Sequence, residues 1–192
     1  DHRDLHLSLR RQRQMCIRDS KSIMQVPKLV KICLNQGIGK ASSDKKQIEA
    51  SYEAMGLDLE LIKDRTYVKI IDLQDNNQII GCGGWSKRKT LFGGSHTKGR
   101  DESFLDPSKD AAKIRAMYTH PGWVRRGVGS LVLELSENFA RKEGFNKFEL
   151  MATLSGEPLY THHGYIVIEE VAWESSKGVI VPLKRMIKED GI

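Results

Sequence analysis

The chain has 192 residues, of which 39% are hydrophobic, which is enough for one domain of ordinary size with a packed core. No apolar run approaches the roughly 18 residues of a membrane-spanning helix, and the three cysteines form no Cys-x-x-Cys pair, which argues against a disulfide framework. The composition therefore excludes a helical membrane protein and a disulfide-rich module, and it predicts a cytoplasmic protein with no membrane partner.

The net charge of +6 is concentrated near the N-terminus. Residues 1–31 hold eight basic and three acidic side chains, so the rest of the chain is almost neutral. The basic character is therefore weak evidence for nucleic-acid binding, and we do not expect a nucleic-acid partner. Residues 1–21 have neither the apolar core of a signal peptide nor a sustained amphipathic pattern, and we expect them to be a non-native or disordered leader.

Residues 22–46 contain an alternating run followed by a turn with Gly37 and Gly39, and from the residues alone they predict an edge strand and a loop. The run from Val26 to Gly39 resembles the opening of the bacterial large-subunit ribosomal protein that binds 5S ribosomal RNA. Nothing after Lys46 continues this resemblance. We infer a chimeric chain, with a ribosomal-protein-like fragment at residues 22–46 and a second domain at residues 47–192.

The next part of the chain reads as helix followed by strands. The predicted elements are, in order, the end of a short helix near residues 48–55, a further helical turn at 57–62, a strand at 67–73, a hairpin turn at 75–77 and a strand at 78–86. Residues 87–109 are rich in lysine, arginine, glycine and serine, which predicts a long surface loop. This loop is either a disordered insertion or a lid over a binding site.

Residues 111–143 carry the clearest pattern, a strand, a tight turn and a helix. Residues 113–118 alternate as a strand, which the breaker pair Pro121-Gly122 ends. Apolar residues then recur at three- and four-residue steps and predict a helix with this buried face: Val128, Leu131, Val132, Leu135 and Phe139. Arg141, Lys142 and Gly144 are its stop signals.

The turn itself predicts a binding site for an anion. It reads Arg125-Arg126-Gly127-Val128-Gly129-Ser130, and its glycines let backbone N–H groups converge at the first turn of the helix. A phosphate there is also stabilised by the helix dipole and by the charge of two arginines. The alternative is that the glycines serve close packing of the helix on a strand.

The C-terminal part predicts three further strands and one short helix. They are a strand at residues 146–152, a helix that contains Tyr160, and a closing hairpin of residues 165–171 and 179–186. His162 and His163 are adjacent, so on a helix they point in different directions and make a poor metal pair. We interpret both as surface or rim residues.

Two of these motifs resemble the Gcn5-related N-acetyltransferase (GNAT) family. Gly127 and Gly129 match the glycines of its coenzyme A pyrophosphate-binding pattern, Gln/Arg-x-x-Gly-x-Gly/Ala, whereas Val124 departs from the residue that usually opens it. Residues 157–165 resemble the family's Tyr-x-x-x-Gly-Phe/Tyr corner through Tyr160, Gly164 and Tyr165. Both motifs occur in the family's order.

The resemblance implies an α/β (α+β) protein with the acyl-CoA N-acyltransferase fold, a mixed and mostly antiparallel sheet with splayed central strands flanked by helices. The family's first strand and helix would precede residue 47, so we expect them to be missing here. Acetyl-CoA is the implied co-substrate, no metal is implied, and Tyr160 would be the general acid toward the coenzyme A sulfur. The implied cofactor-binding residues are Met117, Thr119, Arg125, Arg126, Gly127, Val128, Gly129 and Ser130.

The implied function is transfer of an acetyl group to a primary amine on a small molecule or a protein. An amine must be neutral to attack a thioester, but the sequence singles out no general base among Glu149, His120 and Asp110. Two alternatives remain, a coenzyme A-binding module without turnover and, from residues 22–46 alone, a fragment of an RNA-binding ribosomal protein. The enzyme could act as a homodimer.

Overall fold

A computed structural model describes residues 45–54, 58–74, 77–94 and 100–191. The helices are α1 (Lys45–Ala54), α2 (Glu60–Lys63), α3 (Val128–Lys142) and α4 (Glu157–His162), with a 3-10 turn at Pro121–Trp123. The strands are β1 (Tyr67–Asp72), β2 (Gln78–Ser86), β3 (Ala112–Thr119), β4 (Lys147–Thr153), β5 (Ile166–Glu174) and β6 (Ile180–Glu189). The predicted strands and helices of this region are confirmed in type and order. Three predictions lie outside the described ranges. They are the leader, most of the ribosomal-protein-like run, and the absence of the family's first strand and helix.

The six strands form one sheet in the order β1-β2-β3-β4-β6-β5. All neighbours are antiparallel except β3 and β4, which are parallel. The register of β3 with β4 pairs only Ala112 with Phe148 and Lys113 with Glu149. Beyond Lys113 the two central strands are no longer paired, so the predicted mixed sheet with splayed central strands is confirmed.

Glycines in β2 allow α3 to lie close to the sheet. A Cβ on Gly81 would lie 2.4 Å from Cγ1 of Val128, and a Cβ on Gly83 would lie 2.6 Å from Cγ1 of Val132. Real Cβ atoms do not approach that closely, so neither position accepts a side chain without a shift of the helix. This contact sets the position of the N-terminal half of α3.

The helix α3 buries a wider surface than its predicted apolar stripe. Val128 and Val132 are buried as expected, but Leu131, Leu135 and Phe139 are only partly buried. Leu133 and Ala140 are fully buried instead, in the cluster that contains Trp85 and Phe148. The helix contacts two apolar clusters on the sheet, and for that reason it buries residues on both sides of the stripe.

Residues 87–94 and 100–105 form two arms that run side by side, and we call them the 87–105 arms. Their backbones are joined by bonds from the Lys89 N–H to the Ser103 carbonyl, 3.0 Å, and from the Leu105 N–H to the Lys87 carbonyl, 2.8 Å. Leu105 is also buried. The expectation of a disordered insertion is therefore wrong for these described residues, because backbone bonds and buried ion pairs order them. None of the helices within the described ranges is both long and apolar enough to cross a membrane.

Candidate functional site

A sharp corner joins β3 to α3. The Nδ1 of His120 accepts a hydrogen bond from the Gly122 N–H at 3.2 Å and caps the 3-10 turn that follows the strand. Arg125 and Gly127 have φ values of 62° and 81°, in the left-handed region. Glycine adopts this conformation at little cost, and two such residues so close together reverse the chain into the helix.

The first turn of α3 offers unpaired donors. Its N-cap residue, Gly127, has no side chain that could accept a hydrogen bond. The first backbone hydrogen bond of α3 runs from the Leu131 N–H to the Gly127 carbonyl, 3.0 Å. The N–H groups of Val128, Gly129 and Ser130 precede that bond and have no partner within the helix. This geometry suits an anion.

The alternative role predicted for the glycines also applies in part. A Cβ on Gly129 would lie 3.1 Å from Cδ2 of Leu159 on α4 and 3.9 Å from Oγ1 of Thr119. The missing side chain of Gly129 thus permits close approach of α4 and leaves the Gly129 backbone accessible from the cleft. Gly127 serves the turn, whereas Gly129 serves the packing of α4 and also lines the cleft.

A cleft of about 780 Å³ begins at this corner and continues into the gap between β3 and β4. Most of the predicted site residues line it, namely Met117, Thr119, Arg125, Gly127, Val128, Gly129, Ser130 and Tyr160. Arg126 is not among the lining residues, and its guanidinium lies 4.9 Å from the ring centre of Trp123. The structure therefore brings together all but one of the residues that the sequence predicts.

Tyr160 lies deeper in the cleft. Its hydroxyl oxygen is 3.8 Å from the Met117 sulfur, and its ring meets that of Tyr165 edge to face, with 6.0 Å between centroids. Burial raises the pKa of Tyr160 to about 12. The hydroxyl is therefore protonated at neutral pH and can act as a donor.

Ser130 has a partner that the sequence did not reveal. Its Oγ lies 2.9 Å from Nε2 of His163, at the C-terminal end of α4. His162 is exposed and lines the cleft, whereas His163 is partly buried and is not among the lining residues. Nowhere in the described ranges do three His, Cys, Asp or Glu side chains gather as a metal site would need.

The three candidate bases do not lie free in the cleft. Glu149 is buried and paired with Lys113 and Arg185. Burial alone would raise the pKa of Glu149, but the hydrogen bonds from its two cationic partners outweigh it and keep the pKa below the usual value. Asp110 accepts the Asp106 N–H at 2.8 Å, and His120 caps the 3-10 turn.

The far end of the cleft is apolar and was missed by the sequence reasoning. It is lined by Ala54 of α1 and by residues 91–93 of the 87–105 arms. The Phe92 ring meets that of Trp173 on β5 edge to face at 6.3 Å. No local pattern signals these contacts, because they join elements that are distant in the sequence.

The N-terminal stretch resembles a ribosomal protein. The large ribosomal subunit protein uL5 of Wigglesworthia glossinidia brevipalpis is 72% identical over 29 residues, which are 15% of this chain and 16% of that protein. The chain spans 16% to 20% of the length of the curated relatives that it matches. This short match fits the resemblance found in residues 22–46 and the chimeric chain inferred from it.

The main domain resembles acetyltransferases. Mosquito arylalkylamine N-acetyltransferase like 5b is 14% identical, with a TM-score of 0.52, over 69% of this chain and 78% of that one. Rv2747 from Mycobacterium tuberculosis, solved in complex with CoA, is 14% identical with a TM-score of 0.50, over 76% and 90% of the two chains. At this identity the two likenesses show the fold. The sequence profile of the Acetyltransferase (GNAT) family matches residues 35–165, well over half of the chain, and the chain therefore belongs to that family.

Proposed function

We propose that the protein transfers the acetyl group of acetyl-CoA to a primary amine. The observation that carries this proposal is the cleft between the splayed strands β3 and β4. Unpaired N–H donors at the start of α3 lie at one end, and the protonated Tyr160 hydroxyl lies further in, beside Met117. Acetyl-CoA would supply a thioester whose acetyl carbon is open to attack by an amine.

The chain's own groups fit such a co-substrate. The N–H groups of Val128, Gly129 and Ser130 would hold its pyrophosphate, and Arg125 would add positive charge. The edge of β3 left unpaired beyond Lys113 offers backbone groups, including those of Met117 and Thr119, to the pantetheine arm. The cleft volume is in the range of cofactor sites.

Tyr160 is the residue that we assign to proton transfer. As the nitrogen–carbon bond forms, the amine loses a proton, and as the carbon–sulfur bond breaks, the sulfur gains one. Tyr160 gives its hydroxyl proton to the sulfur and regains one from solvent, so that it ends the cycle unchanged. A backbone N–H near Thr119 would stabilise the charge that develops on the carbonyl oxygen.

The amine would enter from the end lined by Ala54, Leu91 and Phe92, opposite the phosphate donors. Its carrier is a small molecule or a protein. The similar mosquito protein is named for arylalkylamines, and the aromatic ring of Phe92 would suit an acceptor of that kind.

A coenzyme A-binding module without turnover is the second candidate. Glu149, the most buried carboxylate among the candidate bases, is held by Lys113 and Arg185 and is a weak base. Deprotonation of the amine would then depend on water, and without it the cleft would bind and not react.

Thiol release from acetyl-CoA, measured with the full chain and a panel of amines, tests the proposal. We expect release above background with at least one amine. Tyr160→Phe should lower kcat about 100-fold or more, because general acid catalysis contributes about 10²- to 10⁴-fold. The same variant should keep the rise in Tm that coenzyme A produces. A rise in Tm without thiol release would support the binding module, and no rise at saturating coenzyme A would reject both functions.

A further inference from the structure

Ser130 and His163 join the first turn of α3 to the end of α4. Their side chains are 33 positions apart in the sequence, and the Nε2 to Oγ distance of 2.9 Å makes a good hydrogen bond. Ser130 lines the cleft at the start of the helix, where the donors of Val128 and Gly129 also lie. Any anion held by these donors is therefore next to a histidine-bound hydroxyl.

The direction of this hydrogen bond decides what Ser130 can offer to an anion. A serine hydroxyl has a single proton. When Nε2 of His163 is unprotonated, it accepts that proton, and the Ser130 oxygen presents only lone pairs to the cleft. When Nε2 carries a proton, His163 donates to Oγ, and the Ser130 proton is free for an anion. The imidazolium form always donates from Nε2.

We propose that His163 is a positioning residue for the co-substrate, which turns the Ser130 hydroxyl toward the pyrophosphate and strengthens its binding when the imidazole is protonated. The inference rests on the proposed function, because it needs a pyrophosphate at the start of α3. His163 would act through Ser130, without contact to the reacting atoms.

The charges around His163 define its state before binding. Burial lowers its pKa, Glu134 on α3 raises it, His162 lowers it, Glu137 on α3 raises it, and Lys188 on β6 lowers it. The net effect is a pKa below the ordinary value, so the ring of the free protein is neutral at pH 7.5.

Glu137 contributes little unbalanced charge to this environment. It accepts hydrogen bonds from Tyr165 at 3.0 Å, Arg141 at 2.8 Å and Lys188 at 2.7 Å. A pyrophosphate beside Ser130 would add negative charge that favours the imidazolium. Binding should therefore be accompanied by proton uptake at His163.

Calorimetric titration of the full chain with dephospho-coenzyme A tests this. This probe keeps the pyrophosphate but lacks the 3′-phosphate. A phosphate monoester has a pKa of about 6, so the 3′-phosphate would itself titrate in this pH range. We expect Kd to fall about threefold to tenfold between pH 7.5 and pH 5.5, the scale of one typical hydrogen bond. Pantetheine, which has no pyrophosphate, should show no such change. NMR should show the His163 pKa rising when the probe binds.

Two variants separate this role from a structural one. His163→Gln keeps an N–H donor that does not titrate, so its Kd should be independent of pH and close to that of the wild type at pH 5.5. His163→Phe keeps the ring but loses the donor, and its Kd should be independent of pH and about threefold to tenfold weaker than that of the wild type at pH 5.5. The glutamine variant thus serves as the rescue.

The outcomes are distinct. Binding with a flat pH profile in the wild type, or with the same slope in His163→Phe, overturns the inference and leaves the proposed function standing. Absence of binding at both pH values overturns the proposed cofactor site, and the inference with it.

Discussion

Arg115 on the central strand donates from Nη2 to Oδ2 of Asp58 at 3.0 Å, and Arg100 donates to the same oxygen at 2.9 Å. The side chains of all three residues are at least nine-tenths buried. Arg115 also donates to the carbonyls of Thr90, at 2.6 Å, and Gly93. Burial lowers the pKa of Arg115 to about 10, so it stays charged at neutral pH. The Asp58 carboxylate therefore ties β3 to the 100–105 arm. Arg115 extends the link to the 87–94 arm, whose residues 91–93 line the far end of the cleft.

Replacement of Asp58 by Asn should lower the free energy of unfolding by about 3–5 kcal/mol. It leaves the buried Arg115 without a counter-charge and Arg100 with only the half-exposed Glu102, 3.6 Å from its Nε. Urea unfolding measures the loss. Hydrogen exchange at the Leu105 amide, which is bonded to the Lys87 carbonyl, should become faster as the arms loosen. Lys63→Gln removes an exposed ion pair with Glu60 and is the control, with an unfolding curve close to that of the wild type. Equal effects of both variants would contradict this account.

Gly83→Ala tests the close approach of α3 to β2. The new methyl group would lie 2.6 Å from Val132 and 3.0 Å from Met117, so the helix or the strand must move. We expect a loss of about 1–3 kcal/mol in thermal or urea unfolding, as for other overpacked interiors. Gly122→Ala, whose methyl group would meet only His120 at 3.4 Å, should change stability by less than about 0.5 kcal/mol. An unchanged free energy of unfolding in Gly83→Ala would show that the contact between β2 and α3 is not tight.

The ion pairs of Glu149 predict a pH-dependent stability. Its pKa is lowered in the folded protein, so its contribution is present above the unfolded pKa and is lost as the pH falls through the folded one. At pH 6, Glu149→Gln should be less stable than the wild type, since Lys113 and Arg185 lose their shared partner. The difference should shrink as the pH falls from 6 to 3. Urea unfolding across that range measures it, and a constant difference would refute the prediction.

Phe92→Ala should impair the acceptor end of the cleft and spare the phosphate end. Once an amine substrate is identified, we expect its KM to rise about tenfold, the effect of losing one aromatic contact of about 1.4 kcal/mol. The KM for acetyl-CoA should change by less than about twofold, because Phe92 lies at the end of the cleft opposite the phosphate donors. Phe104 lies on the other arm, is exposed and does not line the cleft, so Phe104→Ala is the matched control. A parallel rise of both KM values would instead indicate general loosening of the fold.

Local patterns of residues are enough to predict the succession of strands and helices and the corner from Arg125 to Ser130. Such features depend on periodicity over a few residues and on the backbone freedom of glycine, and both are local properties. The position of Tyr160 followed from a motif of nine residues, 157–165, that lies within one short helix and its end.

The roles of several side chains follow from the packed fold and from no local pattern. Glu149, a candidate base by its place in the sequence, is paired with Lys113 at a separation of 36 positions, and Asp58 meets Arg115 across 57 positions. Ser130 likewise meets His163 through the packing of two helices. Charged residues of one sign are interchangeable in a local pattern, and which of them meet depends on how the sheet and helices fold over one another.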